Sequence, residues 1–70
     1  MIKINGKEYD YKEKSLCEFL DENGYKVQQI AVERNEEMIP KAEYKETILH
    51  SGDMVEIVSF VGGGWLSFYI

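Results

Sequence analysis

The residues of this 70-residue chain best suited to chemistry are three consecutive glycines, Gly62-Gly63-Gly64, directly after an apolar run from Met54 to Val61. Glycines so placed have three uses. A phosphate cradle needs a helix N-terminus or a Lys at fixed spacing, whereas Trp65-Leu66-Ser67 follows here. A hinge to a terminal strand is the plain structural use. The third is a thin tail offered to another protein's catalytic centre, because backbone without Cβ atoms passes through channels too narrow for other residues. Residues 61 to 64 fully extended reach about 13 Å at ~3.3 Å per residue.

Other reactive types are isolated. Cys17 is the only cysteine, so one chain builds no internal disulfide, four-cysteine zinc site or iron–sulfur cluster. It lies between Leu16 and Phe19 with nothing basic nearby to activate the thiol, which reads as a small buried hydrophobe. His50 precedes the turn Ser51-Gly52-Asp53, and no second ligand lies at metal spacing. Glu33, Glu36 and Glu37 form either a solvated face or a docking surface for a basic partner; Glu8, Asp10 and Glu13 read the same way. No paired carboxylates, nucleophile–base pair or cofactor motif is present.

The elements that position the glycines follow from local pattern. Ile2-Lys3-Ile4-Asn5 alternates, and Asn5-Gly6 is the favoured type I′ hairpin pair, with Tyr9 and Tyr11 alternating in the returning strand. Ser15 and Glu18 have capping-box spacing. Leu16, Phe19 and Leu20 give the apolar face of a helix of about nine residues, which Gly24 ends. A helix that short persists only on a sheet. Ile30-Ala31-Val32 reads as a buried strand, 33–37 as a polar turn, and Met38-Ile39 as a short strand stopped by Pro40. Residues 41–46 suit one helical turn around Tyr44, and Thr47-Ile48-Leu49 a short extended piece. Met54 to Val61 is the longest strand. This order predicts an α+β fold, a mixed sheet of four to five strands with one main helix across one face. First and last strands pair in parallel at its centre, the arrangement called a β-grasp. The domain organisation expected is 1–61 for the β-grasp, 62–64 for a glycine tail and 65–70 for a hydrophobic C-terminal extension.

In the last strand Val55, Ile57, Ser59 and Val61 share one face, and Met54, Glu56, Val58 and Phe60 the other. Glu56 marks the second as solvated, so Val58 and Phe60 are either covered by a loop or form a partner-docking patch.

Composition narrows the function classes. Eight Lys plus Arg against thirteen Asp plus Glu give a formal net charge of −5. The basic residues are interleaved with acids, unlike the clustered cations of a nucleic-acid surface. No stretch of about 20 apolar residues exists to span a bilayer, and the N-terminus lacks a signal-peptide run, which points to a cytoplasmic chain. A core this small leaves little room for an autonomous active site.

Several of these residues together carry a resemblance. Ala31-Val32-Glu33-Arg34-Asn35, Met38-Ile39-Pro40, Tyr44, Gly52-Asp53, and Val55-Glu56-Ile57-Val58 running into Phe60-Val61-Gly62-Gly63-Gly64 resemble the ThiS family of thiamine-biosynthesis sulfur carriers. The resemblance covers residues 1 to 64. It implies a ubiquitin-like β-grasp and a non-enzymatic role in making the thiazole ring of thiamine. It also implies three partners: an E1-like adenylyltransferase using ATP and magnesium, a cysteine desulfurase/sulfurtransferase route supplying persulfide sulfur, and a thiazole synthase receiving it. The carrier itself binds no cofactor. By position Gly64 is the residue that is adenylated and then bears the thiocarboxylate, and Gly62, Gly63 and Gly64 thread into the partner.

The chain departs from that pattern at its end. Family members finish in a free glycine carboxylate, but Trp65-Leu66-Ser67-Phe68-Tyr69-Ile70 follows Gly64 here. Some sulfur carriers and ubiquitin-like proteins are trimmed, in some cases by a zinc metalloprotease, so a processing protease joins the expected partners. Two alternatives stand beside the carrier: a molybdopterin-synthase-type small subunit, which shares the fold and the Gly-Gly end, and a non-catalytic β-grasp module that self-associates through the hydrophobic extension.

Overall fold

The computed structural model describes residues 1–60. Strand β1 (Ile2–Ile4) buries both isoleucines and leaves Lys3 exposed, as strict alternation requires. Asn5 and Gly6 take φ of 52° and 81°, the left-handed pair of a type I′ turn, and β2 (Lys7–Tyr9) returns antiparallel with Ile2 opposite Tyr9. The strand ends at Tyr9 instead of continuing through Tyr11. The Tyr11 N–H donates to the Tyr9 carbonyl at 2.9 Å, and the tight turn stacks the two rings 5.7 Å apart.

Next comes β3 (Glu13–Ser15), which the sequence reading did not include. It pairs antiparallel with β6 (Ile48–His50) as a separate two-stranded sheet. Helix α1 (Leu16–Glu22) then opens with the Ser15 hydroxyl accepting the Glu18 N–H at 3.3 Å. It closes in a Schellman arrangement: Gly24 takes φ 75°, its N–H donates to the Asp21 carbonyl, and the Tyr25 N–H donates to that of Leu20. At seven residues α1 is shorter than expected. It is held by burying Leu16, Phe19 and Leu20 against Ile2, Ile4, Val55 and Ile57 of the sheet, which is how helices too short to persist alone survive.

The main sheet, with β4 (Ile30–Arg34), β5 (Glu37–Met38) and β7 (Met54–Ser59), has the order β2-β1-β7-β4-β5. Strands β1 and β7 pair in parallel at the centre, and the other ladders are antiparallel. This is the α+β β-grasp expected, its mixed sheet having five strands, within the four to five foreseen. Between β6 and the hairpin, the 3₁₀ segment Lys41–Glu46 tucks Tyr44 into the core.

The β4–β5 turn is tighter than a turn over 33–37. Glu33 and Arg34 remain in β4, and only Asn35 and Glu36, at φ 52° and 72°, make the bend. A glutamate at that φ brings its Cβ against the following carbonyl, a strain of about 1–2 kcal/mol. Glu36→Gly is therefore expected to raise stability by about 0.5–1 kcal/mol, part of the relief being offset by unfolded-state entropy. A urea midpoint that falls in the variant would contradict this geometry.

Candidate functional site

The feature best placed to act on another molecule is the C-terminal end of β7, because the triglycine follows it in the sequence. Strand β7 lies between two neighbours. On one edge it pairs with the whole of β4, from Arg34 opposite Val55 to Ile30 opposite Ser59. The Phe60 N–H extends that ladder by donating to the Gln29 carbonyl at 2.7 Å. On the other edge β1 is only three residues long and its register reaches no further than Ile4 opposite Val55. The side chain of Asn5 takes over beyond it. Its Oδ1 accepts the Ile57 N–H at 2.7 Å, and its Nδ2 donates to the Ile57 carbonyl at 3.3 Å. One amide thus acts as an extra strand residue, meeting both polar groups of Ile57 that the short β1 cannot reach.

The Glu-Arg-Asn segment fixes the other end of β7. Asn35 donates its backbone N–H to the Met54 carbonyl at 2.8 Å, and its Oδ1 accepts the Met54 N–H at 2.9 Å. Its Nδ2 donates to Asp53 Oδ1 at 3.1 Å, while Asp53 Oδ2 accepts the His50 N–H at 2.9 Å. Arg34 donates to the Ile48 carbonyl at 3.2 Å. The motif therefore knits the β4–β5 turn to the turn that launches β7. Its role is placement of the strand, and the half-buried Glu33 sits on the outer sheet face opposite Glu56.

Beside β4 runs an apolar groove of about 350 Å³, whose lining includes Ile30, Ala31, Met38, Ile39, Tyr44 and Phe60. Burial pushes the Tyr44 phenol above its ordinary value of 10.0, with a hydrogen bond to the Val32 backbone acting the other way. A larger polar depression of about 630 Å³ lies around Arg34, Glu43, Glu46, His50 and Asp53. Among the described residues no group of three His, Cys, Asp or Glu side chains is placed to hold a metal ion, and no helix is long and apolar enough to cross a membrane.

The residues singled out in the sequence fall as follows. Val58 is half-buried on the outer face of β7, opposite Ala31. Phe60 is half-buried and lines the apolar groove; Val58 is not part of that lining. Cys17 is half-buried against the core. The His50 imidazole stands 3.7 Å from Glu13 across the β3–β6 pair. Gly62, Gly63 and Gly64, like 65–70, lie outside the described residues. The Asn5 amide was missed: Asn5-Gly6 signalled a turn, and only the mismatch between a short first strand and a long last one hinted at further work for its side chain.

Comparison with known proteins agrees with this architecture. The model of the ThiS family matches residues 2–64. Over 66 residues the chain is 38% identical to the sulfur carrier protein ThiS of Bacillus subtilis (strain 168), covering 91% of this chain and 100% of that one. Over 62 residues it is 42% identical to a thiazole synthase of Paramagnetospirillum magneticum, covering 87% of this chain but only 19% of that protein. The crystal structure of the thiamine biosynthesis protein ThiS from Geobacter metallireducens superposes with a TM-score of 0.71 at 27% identity, covering 90% of this chain and 97% of that one. The chain belongs to the ThiS family, the ubiquitin-like sulfur carriers of thiamine biosynthesis.

Proposed function

We propose that this chain carries sulfur as a thiocarboxylate on Gly64 and that the carboxylate is uncovered by cleavage after that residue. The observation that carries the reading is one of position. Strand β7 is anchored along the β4 edge as far as Phe60, and the family match ends at residue 64. A fixed strand followed, one residue beyond Phe60, by three glycines suits delivery of a backbone terminus into a partner's channel.

The chemistry asked of this chain is small. Hydrolysis breaks the Gly64–Trp65 peptide bond, water giving hydroxide to the carbonyl carbon and a proton to the departing amine. The new α-carboxyl, with a pKa of roughly 3.3–3.7, is ionised at neutral pH. One of its oxygens attacks the α-phosphorus of ATP on the E1-like adenylyltransferase, and pyrophosphate leaves. The terminal sulfur of a persulfide from the desulfurase route then displaces AMP from the acyl carbon. A second thiol cleaves the resulting acyl disulfide, leaving the thiocarboxylate here and a disulfide on the sulfur donor. Magnesium, acids and bases belong to the partners. Thiazole synthase is the proposed acceptor, supported by the thiazole synthase relative that contains a segment like this chain. Such a carrier works in the cytoplasm, and its tail begins after a β-grasp spanning 1–61.

A chain ending at Gly64 is expected to support ATP–pyrophosphate exchange with the adenylyltransferase and magnesium, whereas the 70-residue chain is expected to be inert. Equal exchange by both chains, or none from the shortened one, would overturn this function.

A further inference from the structure

We propose that the apolar groove beside β4 is the seat of residues 65–70 of the same chain. Apart from Lys41, its lining, including Ile30, Ala31, Met38, Ile39 and Tyr44, is apolar or aromatic, and it stands open: Met38 is 61% exposed. The described chain ends at the wall of this groove, since Phe60 is part of the lining. The next ten residues have the composition to fill it. Five of the last six, Trp65, Leu66, Phe68, Tyr69 and Ile70, are apolar or aromatic.

Reach and size fit. Residues 61–64 are four in number, the span of a β-turn whose ends lie within about 7 Å of each other. Three of them are glycine, which accepts every turn type. A volume of about 350 Å³ lies at the low end of the roughly 300–1,000 Å³ of small-molecule pockets. It therefore takes one or two large side chains as anchors, not the whole hexapeptide. The chain's own segment is favoured over a second copy by concentration, because a short flexible connection gives an effective concentration in the mM range.

Trp65 is the only tryptophan, and its emission reads the seat in the full chain. Short-wavelength emission is expected, poorly quenched by acrylamide and unchanged on dilution from about 100 to about 1 µM, far below the mM effective concentration. Met38→Lys is expected to move the emission to that of free tryptophan, and Met38→Leu to leave it in place. The amide resonances of Ala31 and Met38 are expected to differ between the full chain and one ending at Gly64, which needs no groove substitution. Wild-type emission matching free tryptophan would overturn the proposal, as would coincident amide resonances. A blue emission that fades on dilution would assign the groove to a second copy, and one unmoved by Met38→Lys would place the segment elsewhere; either sinks the proposal. None of these readouts involves adenylation, so they fail independently of the carrier function.

Discussion

Phe19→Ala is expected to lower the unfolding free energy by about 3–5 kcal/mol, the range for deleting a buried aromatic side chain. Phe19 is 2% exposed and sits in the middle of the apolar face of α1. Its ring meets Tyr9 edge to face, with centroids 5.2 Å apart and planes at 87°, a contact that adds about 0.5–1.5 kcal/mol beyond burial. Alanine would leave a cavity between helix and sheet that seven residues of helix cannot close by moving. The total stability expected for a chain of this length is about 3.5–10 kcal/mol, at roughly 0.05–0.15 per residue. One substitution therefore removes roughly 30% of it or more. Urea unfolding followed by far-ultraviolet circular dichroism measures the change, and a loss below about 1 kcal/mol, typical of surface positions, would show that α1 is not the lid of this core.

Gly64→Ala, made in a chain that ends at residue 64, is expected to reduce ATP-dependent adenylation about 100-fold, the penalty that a misplacement of about 1 Å inflicts on a well-oriented reaction. A methyl group on the last Cα sits next to the reacting carbonyl. It narrows the backbone conformations available and must enter the same channel as the carboxylate. The unfolding midpoint is expected to stay where it was, because among the described residues every buried core residue lies between Ile2 and Ile57. That pairing of lost activity with unchanged stability separates an effect at the tail from an effect on the domain. Undiminished adenylation of the alanine variant would mean that slimness at the terminus is not what the glycines supply.

Much of the domain was legible because its signals are local. Alternation gave β1 and β7, Asn5-Gly6 gave the first hairpin, and Ser15 with Gly24 bracketed the helix. Parallel pairing of the two ends followed from the apolar character of both strands. What escaped was set at long range. Glu13-Lys14-Ser15 has no strand pattern of its own, and β3 exists because Ile48–His50 lies alongside it. The Asn35-Glu36 turn hid inside a run of polar residues, since its second position is a glutamate where glycine would have announced it. At the candidate site the glycines were visible by composition alone. The groove was not, because Ala31, Met38 and Tyr44 come from three separate elements and meet only in the fold. Glu-Arg-Asn carried the family resemblance while its mechanical role, holding the start of β7 through Asn35, needed coordinates.

The most direct test of the carrier account is the intact mass of the protein isolated from its native host, under conditions that preserve thioacids. The account predicts a chain ending at Gly64, part of it heavier by the difference between one sulfur and one oxygen. A uniform population that retains Trp65 through Ile70, with no sulfur-bearing fraction, would contradict it.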